Sequence, residues 1–398
     1  MNASSEKGTS VFQNGLVWFG AAVSIAEIET GMQIAKGAGG GALSSAIWAI
    51  VAGHVAGGLL LFAVGCIGAR LRASAMDCVK LPFGRYGGAI LASLNIVQLL
   101  GWTAVMIASG AAATSTLVGS LPEWASSVAI GILVAAWVFI GLGGVSKINA
   151  AAMSLLFLLT LFLSFRLFGA AGGAPGGEGE ASGFWEVFEL SAAMPLSWLP
   201  LVADYTKEAR DRRVAPAASA AVYTIVSCWM FAIGLATGLH FPDKGFADAV
   251  LLCRAGAAGV FVVVFSTVTT TFLDAYSAGE SAKSIFRAVP PKLFAAAITF
   301  LGVAVAVFVG MDRYLDFLYL IASVFAPMAA VQLVDWALGR GAQRPRTVPQ
   351  IAVNLVAWLV GLAVYHVALA NACPVGATLP AMAISAAVAS LNGLAVRS

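Results

Sequence analysis

Long continuous runs of apolar residues, separated by short polar connections, dominate this chain. They fall at roughly 14–36, 43–68, 86–118, 125–143, 148–169, 184–203, 215–240, 254–279, 292–310, 314–338, 349–371 and 376–396, each near the ~20 residues an α-helix needs to cross a bilayer. Only helices or closed barrels satisfy their backbone within hydrocarbon, and these runs lack the alternation of a barrel strand. The pattern predicts an all-α integral membrane protein with twelve transmembrane helices.

Composition agrees with that reading. Of 398 residues, 60% are hydrophobic and 10% charged, whereas a soluble domain carries about a quarter charged residues. Twelve spans leave no room for a soluble catalytic domain. Placing the 22 Lys and Arg residues on alternate sides of the spans collects 17 on one side and 5 on the other. Basic loops stay inside, so both termini are expected in the cytoplasm, with the spans in a bacterial plasma (inner) membrane. The net charge of +3 adds little.

The five cysteines show neither a CxxC pair nor metal-ligand spacing and read as packing residues. The polar N-terminus carries no signal-peptide pattern. GAGGG at 37–41 lacks the Lys and Ser/Thr of a phosphate loop and reads as a turn. The expected organisation is a cytoplasmic tail over 1–13, a five-helix unit over 14–169, an external Gly-rich loop over 170–183, a second five-helix unit over 184–338, and two further helices over 339–398.

Ionisable residues inside a membrane span are costly and mark candidate sites. Glu27 and Glu29 lie within VSIAEIETG of the first span. Two positions apart, they point about 200° away from each other on an unbroken helix. Either one of them faces a second polar partner, or the helix is unwound there, or the span is offset so that both sit near an interface. The sixth span contains SAAMPLSWLPLVADYT, where Pro195 and Pro200 should free the carbonyls of Ser191 and Leu196. Ser197, Trp198 and Asp204 surround this second break. The breaks fall in the first helix of each five-helix unit, and paired discontinuities of this kind point to an inverted-repeat transporter with its site at mid-membrane.

The eighth span, FSTVTTTFLDAYSAGES, repeats Thr267, Thr270, Thr271, Asp274, Ser277 and Ser281 at three- and four-residue steps, a polar stripe on an apolar helix. Its hydroxyls, facing unwound carbonyls of the first span, suit a hard cation; alternatively, the threonines bond back to their own helix. In the third span Gln98 and Trp102 share a face, an amide beside a flat aromatic surface suited to a planar heterocycle. His54, His240 and His366 form no cluster and read as packing or interfacial residues.

Four stretches together resemble the nucleobase and cation symporters of bacteria and fungi: WFGAAVSIAEIETG, LPFGRYGG leading to LNIVQLLGW, PLSWLPLVADYT and TVTTTFLDAYS. Within that family the chain looks like cytosine-permease relatives of the CytX type, regarded as hydroxymethylpyrimidine transporters. The resemblance covers essentially the whole chain and implies the LeuT-type fold of 5+5 inverted repeats, with the last two helices outside the ten-helix core. It implies that Trp102 stacks on the substrate ring, with Gln98 at or next to the family's amide position. Glu27 falls near a polar substrate-contacting position, and Asp274 stands where relatives have an Asn. The sodium site is implied at Thr269 and Thr270 with helix-one carbonyls near Val23 and Ala26. The helix-six aromatic of relatives maps near Met194 and Pro195, leaving Ser197 and Trp198 as the local candidates.

The expected function is a secondary symporter importing a small aminopyrimidine, a hydroxymethylpyrimidine or cytosine-like base, with sodium or protons as the coupling ion and no other cofactor. An amino-acid or amine transporter of the same fold is the alternative. A channel or membrane-embedded enzyme stands further off, since no catalytic motif or filter repeat is present. The expected partners are the pyrimidine and membrane lipid, with no nucleic acid and no obligate protein.

Overall fold

A computed structural model describes residues 8–38, 42–119, 121–169, 182–286, 288–311, 313–338 and 346–394. The expected tail, the GAGGG turn and the Gly-rich loop therefore lie wholly or largely outside the described residues. In chain order the helices are α1 (Val11–Ala22), α2 (Ile25–Ala35), α3 (Leu43–Leu71), α4 (Ala75–Val118), α5 (Glu123–Ile140), α6 (Leu142–Phe168), α7 (Phe184–Ser197), α8 (Val202–Thr206), α9 (Val214–His240), α10 (Phe246–Leu252), α11 (Gly256–Lys283), α12 (Pro291–Phe308), α13 (Tyr314–Ala337), α14 (Val348–Ala370) and α15 (Thr378–Leu394). Among the described residues the sole extended pairing is an isolated bridge between Thr9 and Ala209.

Among the described residues nine helices are long and apolar enough to cross a membrane, and ten if α1 and α2, bent by 48°, are counted as one span. This is a multi-pass membrane protein. The count differs from twelve because α7, stopped by its break, has 14 residues and α15 has 17. The short α10 between α9 and α11 was not foreshadowed by any apolar run.

The first break lies at Val23–Ser24, before the two carboxylates. Ser24 takes an extended conformation (φ −134°, ψ 147°) and its hydroxyl accepts from the Ala26 amide, so it caps α2. Glu27 and Glu29 both sit in the continuous helix that follows. The second break is the turn between Ser197 and Val202. Pro195 stays inside α7, and the Leu196 carbonyl, expected to be free, accepts from the Leu199 amide at 3.1 Å. The freed carbonyl is that of Ser197. A third interruption is Gly84 in α4, whose φ of 68° and ψ of −176° are open to glycine and strained for other residues. It divides a short N-terminal helix from the span proper.

The helices pack in two groups. One joins α1, α2, α3, α7, α8 and α9; the other joins α4, α5, α11 and α12. In the first group Gly31 of α2 and Gly234 of α9 touch backbone to backbone, and a Cβ on Gly31 would stand 2.9 Å from the Gly234 Cα. Small residues permit such approach where no solvent drives helices together.

Candidate functional site

Between the two groups lies a small cavity of about 40 Å³, into which both broken helices turn their ends. A water needs ~10–15 Å³ of such space, so the cavity as it stands has room for only a few waters. Glu27, Gln98, Trp102, Ser197, Trp198 and Asp274 all line it. Four helices and the turn after α7 thus bring together all six expected ligand-binding residues.

Each wall has a local cause. Gln98 is 3% exposed, and its Nε2 donates to the Ser197 carbonyl at 2.7 Å and to Asn95 Oδ1 at 3.0 Å. Two acceptors fix the amide orientation, since the flipped amide would set oxygen against oxygen. Its Oε1 is left buried with no hydrogen-bond partner. Asn95 in turn donates to Ser281 on α11 at 2.9 Å, tying α4 to the eighth span. One turn on, Trp102 is held edge-on by Phe317 at 5.3 Å and Tyr314 at 6.3 Å, both from α13. That packing sets the angle at which the indole meets the cavity.

Glu27 does not stand bare. Tyr223 donates to its Oε1 and Ser227 to its Oε2, both at 2.8 Å, so α9 holds the carboxyl by two hydroxyls. Glu29 points the other way and accepts from Ser109 of α4 at 2.7 Å. Each carboxylate has its own partner on a different helix. Asp274 lines the same cavity from α11, and among the described residues no side chain or amide donates to it. On the far side Trp18, buried in the angle between Trp198 at 5.4 Å, Tyr205 at 5.6 Å and Tyr223 at 5.7 Å, has an unpartnered Nε1. Met106, Met194 and Leu201 supply apolar surface.

The expected cation ligands are less uniformly placed. Ala26 and Thr270 line the cavity, whereas Val23 and Thr269 do not. Both threonine hydroxyls donate to the Ser266 carbonyl, at 2.8 and 3.0 Å, and Thr267 and Thr271 likewise bond back to Val263 and Thr267. A hydroxyl that donates keeps lone pairs for a cation, so Thr269 and Thr270 still suit sodium. The Ala26 carbonyl lies 2.8 Å from the Thr30 hydroxyl and 3.1 Å from that of Tyr314, which are 2.7 Å from each other, so at least one of the two hydroxyls already donates to it. Among the described residues no group of three His, Cys, Asp or Glu could hold a metal ion.

Sequence reasoning missed Tyr223 and Ser227, although two polar residues four apart on the apolar α9 are a readable signal. His54, expected to be a packing or interfacial residue, is fully buried against Phe231 and is also bonded through both ring nitrogens to Ser191 and Ser227.

No family model and no curated protein matches the sequence. Solved structures do match in fold. The chain is similar over 100% of its length, and 95% of the other chain, to Mhp1, a nucleobase-cation-symport-1 family transporter in a closed conformation with bromovinylhydantoin bound, at 18% identity and a TM-score of 0.75. Against the inward-facing conformation of Mhp1 the values are 17% and 0.79, covering 100% and 94%. A Na+-coupled sialic acid symporter in a substrate-bound outward-open state gives 13% and 0.61, covering 96% and 95%. The protein has the transporter fold of these structures, built on two broken helices.

Proposed function

We propose that this chain is a secondary symporter of the nucleobase-cation kind, carrying a small aminopyrimidine such as hydroxymethylpyrimidine or cytosine with sodium or protons. The observation that carries the reading is the imbalance of the cavity wall. It offers the Asp274 carboxylate and the orphaned Gln98 Oε1 as acceptors, beside the indole of Trp102. A ligand that satisfies such a wall is flat and rich in N–H donors. Exocyclic amino groups meet that need, while a ring edge made of carbonyl oxygens does not. Trp102 supplies the stacking face, Trp198 and Met194 the opposing apolar surface, and Ser197 keeps Gln98 turned outward. The broken ends of α2 and α7 at this cavity fit alternating access, in which one helix group rocks against the other around a fixed site.

Uptake of a radiolabelled panel into proteoliposomes, with and without a sodium or a pH gradient, tests the reading. Hydroxymethylpyrimidine or cytosine should accumulate under at least one gradient and uracil should not. Accumulation of amines alone would replace the substrate class with the amine alternative, which the same unpaired Asp274 would serve. No gradient-driven accumulation of any compound would overturn the symporter itself.

A further inference from the structure

A second cavity stands apart from the mid-membrane site. It has a volume of about 510 Å³ and lies between the start of α7, α13, the end of α14 and the turn that leads into α15. That falls within the ~300–1,000 Å³ of ordinary small-molecule pockets, whereas the cavity between the helix groups has about 40 Å³. One helix joins the two. Glu189 at the larger cavity stands eight residues, ~12 Å of helix, from Ser197 at the smaller.

The walls differ in chemistry from those of the first site. Phe184 and Trp185 of α7 and Tyr319 of α13 supply aromatic surface. Trp185 is held edge-on by Phe184 and by Phe188, each at 5.2 Å. Glu186 and Glu189, three residues apart, share a face of α7 and both line the cavity. Among the described residues no Lys, Arg or His lines it.

The two carboxylates are not equivalent. Glu189 is buried, and its oxygens already accept from Tyr365, from the Thr378 hydroxyl and from the Ala377 and Thr378 amides. Gly376, at φ 73°, lets the chain pass that close, since a Cβ there would stand 2.4 Å from Glu189 Oε1. Glu189 therefore lends the cavity charge but little bonding capacity. Glu186 is exposed, and among the described residues no hydrogen bond or ion pair engages it. Three helix ends meet here as well. The N-termini of α7 and α15 each have a carboxylate of their own, Glu186 in the first turn of α7 and Glu189 at α15, while the C-terminus of α14 adds the negative end of its dipole. The cavity is short of positive charge and walled by rings.

We propose that this cavity is a second binding site, for an organic cation whose ammonium group sits between Glu186 and the rings of Trp185 and Tyr319 and whose apolar body lies against the end of α14. A cation beside an aromatic ring is attracted by its quadrupole, and the unpaired Glu186 supplies the counter-charge. A quaternary ammonium meets both needs without any N–H, whereas the wall of Gln98 and Asp274 calls for N–H donors. Soluble amines and the headgroup of phosphatidylethanolamine share this ammonium chemistry. The site stands independently of the transport reading.

Calorimetric titration of benzyltrimethylammonium into the purified protein in phosphatidylglycerol nanodiscs tests it. The probe should bind, and benzoate, an anion of similar size, should not. Glu186→Gln and Trp185→Leu should each weaken the probe roughly two- to fivefold, while Asp274→Asn leaves it unchanged. Glu186 is exposed, so its variant tests the site even where Trp185→Leu does not fold. No binding of the probe, equal binding of benzoate, full affinity in Glu186→Gln, or loss of affinity in Asp274→Asn, which would place the probe at mid-membrane, would each overturn the proposal. In discs that also hold phosphatidylethanolamine, weaker probe binding assigns the site to the lipid headgroup and unchanged binding to a soluble cation; either supports an ammonium site. The titration uses no gradient, so a failed uptake panel leaves it standing, and its own failure leaves the symporter reading untouched.

Discussion

Gln98 on α4 and Ser197 at the end of α7 meet amide to carbonyl at 2.7 Å. The carbonyl is free because the helix stops there, and the amide is oriented because the carbonyl is free. Replacing Gln98 by Glu removes the donor and sets a second acceptor against Ser197. Gln98→Glu should therefore weaken ligand binding by roughly 1–3 kcal/mol, the cost of a buried polar group left without its partner. Titration calorimetry on cytosine or hydroxymethylpyrimidine measures it, and wild-type affinity would remove Gln98 from the site.

Trp102 is expected to carry stacking. Trp102→Ala should lose about 1–3 kcal/mol of binding, by analogy with bases stacked on aromatic side chains, and Trp102→Phe should lose less. Binding isotherms of both variants, purified in the same detergent, give the comparison.

Asp274 should set the preference for amino-bearing rings. An ionised carboxylate only accepts hydrogen bonds, and a charge-assisted bond contributes about 1.5–3 kcal/mol. Asp274→Asn should narrow the difference in affinity between cytosine and uracil, read by competition against labelled ligand. Equal displacement by both in the wild type would leave Asp274 to ion coupling.

Sodium coupling makes a reciprocal demand. If sodium raises ligand affinity, ligand must raise sodium affinity by the same factor. Thermal stability measured across sodium concentrations, with and without ligand, should show that symmetry and lose it in Thr269→Ala or Thr270→Ala. Stability indifferent to sodium in the wild type would transfer coupling to protons.

Much of this site could be read from residue order because it breaks local rules. A carboxylate, an amide or a proline pair inside an apolar run is visible without any partner. The position of the first break was also written locally, as Ser24 three residues before Glu27, a helix-start pattern hidden by the apolar residues around it. What could not be read was the choice of partner. Nothing near Glu27 in the chain points to Tyr223 or Ser227, about two hundred residues away, and His54 acquires meaning only once α3, α7 and α9 meet. The threonine run stays ambiguous for the opposite reason. Its periodicity is real, but a hydroxyl on a helix always has a carbonyl of its own turn within reach.

Glu189 is a second long-range partner of this kind. It is 3% exposed on α7 and accepts from the Ala377 and Thr378 amides, each at 2.8 Å, and from the Thr378 hydroxyl at 2.5 Å. It thereby caps α15 from another helix, its charge favoured by the dipole of that helix. Glu189→Ala would orphan these buried donors at ~1–3 kcal/mol each. We expect a loss of roughly 3–9 kcal/mol on that accounting, seen as a lower Tm, with Glu189→Gln between the wild type and Glu189→Ala.

The seam between the two helix groups runs through the cavity, with Glu27, Ser197 and Trp198 on one bank and Gln98, Trp102 and Asp274 on the other. Gly31 against Gly234 welds α2 to α9, so Glu27 travels with Tyr223 and Ser227 when its group moves. Across the seam stand Gln98 to Ser197, Ser109 to Glu29 and the Ala75 amide to Asp204. Hydrogen bonds of this size are worth about 1 kcal/mol net, or up to ~3 with a charged partner, and a tenfold change in population is 1.4 kcal/mol. Parting these clasps costs what one well-bound ligand can return, so occupancy of the cavity can decide which arrangement of the two banks prevails.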